Sequence, residues 1–175
     1  MLLVRMSDSA NMRIECVHAA HLCYALVQGS HQVVNLLRIH NDGTAAVHAI
    51  EVHVSLSGGL AGELAAPCVM RVDTIAASAW HEFADVPLAL RVDALANITE
   101  RQVASLLIQV RSGDALLARE ERSVALLAYN EWPGSSAPHA LLASFVLPNH
   151  PAIAPVLSSA GARLMAATGS ASLDA

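Results

Sequence analysis

The chain contains no lysine. All ten basic residues are arginine, set against fifteen acidic ones for a formal charge of −5. A phosphate-loop lysine, a Schiff base and a lysine general base are therefore excluded from this chain. Aromatics are scarce too, with two each of Trp, Tyr and Phe, so there is no extended ring platform on which single-stranded bases would stack. The arginines are scattered singly from Arg5 to Arg163, whereas a duplex-binding face needs clustered cations to displace counterions from phosphates. Cysteine is limited to Cys16, Cys23 and Cys68, an odd number without a C-x-x-C pair. A stapled secreted scaffold would use more pairs, so buried, reduced thiols in a cytoplasmic protein are expected. The apolar run Met1-Leu2-Leu3-Val4-Arg5 is too short for a signal peptide and has no basic flank before it. No uninterrupted apolar stretch is long enough for a membrane span.

What is present is aliphatic. Hydrophobic residues make up 54% of the 175 positions and charged residues 14%, which suits one folded domain with a core built from many small contacts. Ile50, Val52, Val54 and Leu56 alternate with Glu51, His53 and Ser55, the period of a half-buried strand. Val33–Ile39 precedes this run, and His40-Asn41-Asp42-Gly43 between the two predicts a hairpin turn. Leu88, Leu90 and Val92 form a second alternating set, and Ala104, Leu106, Ile108 and Val110 a third. Thr99-Glu100 offers a helix cap for Ile98–Val110, but the alternation running into Ser112-Gly113-Asp114 favours a strand there, with Ala115–Ala128 as its successor. Ile14–Val17, Leu22–Val27, Val69–Val72 and Trp80–Phe83 are shorter strand candidates. Many short strands without alternating helices point to a mainly β fold: an antiparallel, immunoglobulin-like β-sandwich of seven or more strands with a short C-terminal helical tail. The expected divisions are a flexible tail at 1–12, the sandwich at 13–128, a linker and helical tail at 129–168, and a disordered end at 169–175. Within the tail, Pro138–Phe145 reads as a short helix. A second begins near Asn149, with Pro151 in its first turn and Ile153, Val156, Leu157, Ala160 and Leu164 at helical spacing.

Catalytic patterns are missing. His18 and His21 would need a helix to align, and on a straight strand His48 and His53 face opposite sides. His81-Glu82 lacks the second His of an H-E-x-x-H zinc site, no Ser lies in a G-x-S-x-G elbow, and Glu120-Glu121 are strand neighbours pointing apart. Neither a metal nor a cofactor is expected. Cysteines buried in strands have raised thiol pKa values and blunted reactivity.

The distinctive segment is the junction after the strands. It runs Tyr129-Asn130-Glu131-Trp132-Pro133-Gly134, and then from Leu141 through Phe145, Pro148, Asn149 and Pro151 to Ala152. Tyr129, Trp132 and Phe145 are half of the chain's large aromatics. They serve either to seal the open edge of the sheets or to anchor a partner. Together with Leu126-Leu127-Ala128 before it, this segment resembles the N-terminal region of very large bacterial superfamily I helicase-related proteins, where a strand-rich module precedes a transglutaminase-like segment. Ile39-His40-Asn41 and Leu95–Glu100 agree more loosely with that pattern. The resemblance covers a module upstream of the enzymatic parts, so it transfers no helicase or transglutaminase residue. It implies a natural short product, a split gene or a piece of a larger protein. The expected role is a non-catalytic interaction or positioning module that docks other domains or subunits of a helicase-related system. Candidate contact residues are Tyr129, Trp132, Pro133, Gly134, Phe145, Pro148, Asn149 and Pro151. Two further readings make distinct demands on the fold. A nucleic-acid or ligand contact module would bring Arg38, Arg71, Arg91 or Arg111 onto one face, and an enzyme or metal protein would gather His and carboxylates in a pocket.

Overall fold

The computed structural model describes residues 11–24, 32–58, 62–84, 86–132, 134 and 153–169. They belong to two units divided after Leu141. In the first, the strands are β1 (Met12–His18), β2 (His21–Leu22), β3 (Val34–Asn41), β4 (Val47–Gly58), β5 (Gly62–Glu63), β6 (Cys68–Ile75), β7 (Ala79–Phe83), β8 (Gln102–Ser112) and β9 (Ala115–Leu126), with a short helix α1 (Val92–Ala96) before β8. The second unit contains helix α2 (Ile153–Thr168), on which Val156 and Met165 are exposed.

The strands form two sheets. One has the order β1-β3-β7, and the other runs β2-β9-β8-β4-β5 with β6 also paired to β4. Alternation explains both. Leu37 and Ile39 of β3, Ile50 to Leu56 of β4, Ala104 to Val110 of β8, and Val124 and Leu126 of β9 turn inward at period two and meet in a single apolar core. Each fully buried Leu or Ile contributes about 1.5–3 kcal/mol, so the long strands β4 and β8 dominate the cohesion of the unit. β8 is a strand throughout, in register with β4 from Ser112 to Ala104.

The structure corrects the sequence reading in several places. Among the described residues all strand pairings are antiparallel except one: β2 runs parallel to β9 through His21–Ala125 and Leu22–Leu126. Leu22 is the last residue of β2 and Cys23 is buried just beyond it, while residues 25–27 of the strand expected at Leu22–Val27 lie outside the described residues. Met12, assigned to the N-terminal tail, is buried as the first residue of β1.

β3 and β4 do not form a hairpin, because they lie in different sheets. At the crossing from one sheet to the other sits Asn41, which is fully buried. Its Nδ2 donates to the carbonyls of Ala45 (2.8 Å), Ile75 (3.1 Å) and Ala76 (3.1 Å), while its Oδ1 accepts the Gly43 N–H at 3.1 Å. The turn residues therefore join one sheet to the other.

Leu88, Leu90 and Val92 do not make a strand either. Leu90 forms a single bridge to Ala65, the Arg91 N–H is held by the Leu64 carbonyl, and Val92 opens α1. That helix places Leu95 in the core, followed by Ile98. Residues 1–10 of the tail, the helix expected at Pro138–Phe145 and the start expected near Asn149 lie outside the described residues, as do 170–175 of the end.

Candidate functional site

The outward face of the three-stranded sheet carries a cluster of paired polar side chains. Register places Glu15, Arg38 and Glu82 in one cross-strand row, and Arg13, His40 and Trp80 in the next. These positions alternate with inward Ile14, Leu37 and Ile39, so burial on one face fixes polarity on the other. Arg38 Nε donates to Glu82 at 2.6 Å, and its second nitrogen reaches Glu15 at 3.4 Å. Its guanidinium lies 4.9 Å from the centroid of the Trp80 ring, within cation–π range. His40 Nε2 donates to Glu15 at 2.9 Å, and its ring is tilted beside Trp80 with centroids 6.5 Å apart. Arg13 Nε donates to Asp42 at 2.8 Å at the end of the row.

Trp80 nonetheless remains 54% exposed. The hydrogen bond from His40, followed by the field of Arg38, holds the Glu15 carboxyl below its ordinary range, and the Arg13 hydrogen bond does the same for Asp42. The face is thus a half-exposed tryptophan held against a charged frame. Sequence reading missed it because its rows join residues from three strands. The available signal was the polar period of Arg38 and His40 against Leu37 and Ile39.

Arg71, Arg91 and Arg111 do not join Arg38 on this face. Arg71 and Arg111 flank Glu51 across the six-stranded sheet. Arg71 donates to Glu51 at 2.9 Å and Arg111 donates to the Asp114 carbonyl at 3.1 Å. Arg91 lies 3.7 Å from Asp93. Arg71, and with it His53, lowers the pKa of Glu51. His48 and His53 are not on opposite faces, contrary to the straight-strand expectation. Ala49, with φ of +50°, reverses the alternation, leaving Val47 against the core and His48 exposed beside Thr74.

A shallow depression of about 570 Å³ on the same sheet is lined by Ser57, Ser105, Ser123 and Glu121, with Ser105 donating to Glu121 at 2.6 Å. Cys16, Cys23 and Cys68 are free, and burial pushes the Cys16 and Cys68 thiols up. Glu120 and Glu121 do point apart. Glu120, however, turns inward and accepts from Arg122 at 2.6 Å, when surface charge was expected. No group of three or more His, Cys, Asp or Glu able to hold a metal occurs among the described residues. No described helix is long and apolar enough to cross a membrane.

The junction is sutured to the strands. The Leu127 N–H is held by the Leu22 carbonyl, and that of Tyr129 by the Ile98 carbonyl at 2.8 Å. Arg101 pairs with Glu131, which also accepts the Ala128 N–H; the Arg101 hydrogen bond is the main reason the Glu131 carboxyl sits below its ordinary range. Tyr129 is 47% exposed, Trp132 is half-buried, and Gly134 has φ of +89°. Pro133, Phe145, Pro148, Asn149 and Pro151 lie outside the described residues.

No protein-family model matches the chain, and no curated protein does. Among solved structures it is similar to a crystal structure of a Bacteroides uniformis beta-glucuronidase, at 11% identity and a TM-score of 0.39. The match covers 66% of this chain and 13% of that one. A likeness this slight carries no argument.

Proposed function

We propose that the strand-bearing unit is an immunoglobulin-like sandwich serving as a non-catalytic interaction module, which docks a protein domain or subunit against the Trp80 face. The strand orders support the architecture: β1-β3-β7 and β6-β4-β8-β9 follow the A-B-E and C′-C-F-G sequence of such folds, with β2 as a short segment moved from the first sheet onto the last strand. The observation that carries the functional reading is the half-exposed Trp80, braced by Arg38 and His40. Tryptophan and arginine dominate the energetics of protein interfaces, and a ring already held in place loses little freedom on binding. Tyr129 and Trp132 form a second aromatic contribution at the junction. The resemblance of that segment to helicase-related proteins supplies the candidate larger system, in a cytoplasmic setting, with nucleic acid met only through the partner.

The test begins with the DNA adjoining this reading frame. If it encodes a helicase-like segment, that product is titrated calorimetrically against the purified chain. Trp80→Ala is expected to weaken binding about 30-fold, the effect of a tryptophan hot spot, while leaving thermal stability close to wild type. Unchanged affinity rejects the Trp80 face. A salt-sensitive shift of labelled DNA by the chain alone would instead support direct nucleic-acid contact.

A further inference from the structure

Among the described residues, β6 has a strand partner on one side only, β4. An unpaired backbone edge is a template for another strand unless something guards it. The other edges are guarded. β9 turns Glu120 and Arg122 to the same side as buried Val124 and Leu126, so a strand added there would cover charge. β7 is only five residues long, and β1 shifts register at Val17/His18. β6, by contrast, has eight residues, no proline and an unshifted register against β4. Its inward Met70 and Val72 pack on the core yet stay half-exposed at the rim.

The charges on β6 select the occupant. Paired residues of an antiparallel ladder share a face, so over residues 69–73, where exposed and inward positions of β6 alternate before the pattern reverses at Thr74 and Ile75, even positions meet even and odd meet odd. When β6 is laid against β6 of a second copy and centred on Val72, Arg71 faces Asp73 of that copy and Asp73 faces its Arg71. Both residues are exposed. Centring on Arg71 or on Asp73 sets like charges opposite each other, and centring on Met70 leaves Arg71 opposite valine. Only the register centred on Val72 therefore gives two ion pairs among these alternatives, with opposite charges favoured and like charges penalised at directly facing positions.

We propose that the protein self-associates through β6, joining the larger sheets of two copies across a two-fold axis at Val72. The test is sedimentation velocity over a concentration series of the full chain. Wild type is expected to shift toward dimer with concentration, and Asp73→Arg alone and Arg71→Asp alone to weaken association at least tenfold. An equimolar mixture of the two variants recreates both ion pairs between unlike chains and is expected to dimerise again. Circular dichroism and melting temperature establish that each variant is folded. If Arg71→Asp loses the fold through its lost contact with Glu51, the Asp73→Arg result decides by itself. Wild type remaining monomeric, Asp73→Arg associating as wild type does, or two folded variants failing to associate when mixed would each overturn the proposal.

Discussion

Asn41 bonds more of its surroundings than any other buried side chain described here, and its replacement gives a quantitative test of how the two sheets are joined. Asn41→Ala removes the Nδ2 donor shared by the Ala45, Ile75 and Ala76 carbonyls and the Oδ1 acceptor of the Gly43 N–H. Nδ2 carries two hydrogens, so about three net hydrogen bonds are lost. At about 1 kcal/mol each, the expected destabilisation is about 3 kcal/mol. That is a large share of a typical domain's 5–15 kcal/mol, roughly, but not all of it. Asn41→Asp is the sharper perturbation. It keeps an acceptor for Gly43 but turns a carboxylate oxygen toward three carbonyls in a buried site, where the charged form is disfavoured. The carboxyl pKa introduced there is therefore raised in the folded state. By linkage, such a group favours folding below its unfolded pKa, and that contribution is lost as pH rises through the folded value. Urea unfolding followed by circular dichroism should thus show Asn41→Asp as the less stable of the two variants near pH 7, with the gap narrowing near about pH 4, close to the free carboxylate range. A loss below about 0.5 kcal/mol for Asn41→Ala, as for an ordinary surface change, would refute the argument. So would an Asp variant whose stability follows Ala at both pH values.

Three further outcomes follow from the packing and charge of the strands. Glu15 has its carboxyl pKa depressed by His40 and Arg38, so its contribution is present above the unfolded carboxylate pKa and is lost as pH falls through the folded one. Acid titration of Glu15→Gln should give a shallower stability loss than wild type, and identical acid limbs would contradict this. At Gly58 an added Cβ meets Leu126 Cδ1 at 2.8 Å and Leu64 Cδ1 at 3.0 Å. Both leucines are fully buried, so Gly58→Ala should cost about 1–3 kcal/mol by overpacking, measured by chemical denaturation. The Cys16 and Cys68 thiols, raised by burial, should react slowly with a thiol probe at neutral pH until the protein is unfolded; rapid labelling of the native chain would count against that burial.

The long strands were legible in the sequence because each has one buried face. Ile50 to Leu56 and Ala104 to Val110 alternate for the same reason that they line the core. Turn chemistry was less informative. His40-Asn41-Asp42-Gly43 has the composition of a hairpin, but the Asn41 side chain bonds carbonyls more than thirty positions away at Ile75 and Ala76, and no local window contains them. Leu88, Leu90 and Val92 alternate without forming a ladder, since the backbone there is claimed by Leu64, Ala65 and Ala66 and then coils into α1. The Trp80 face was illegible for a related reason. Glu15, Arg38 and Glu82 become neighbours only once β1, β3 and β7 are laid side by side, whereas the aromatic junction stands out because its residues are consecutive.

Residues 12–22, which pair with β3 through β1 and with β9 through β2, also constrain when the protein can finish folding. During synthesis, His21 and Leu22 leave the ribosome about a hundred residues before Ala125 and Leu126, the partners they lie beside. Early contacts between β1 and β3 form while the nascent chain is short, but the seam along β9 must wait for almost the entire unit, because pairing so distant in sequence is slow and comes late. Until then β8 lacks the neighbour it pairs with along its length, and a ribosome pausing before codon 126 leaves that edge open to another chain.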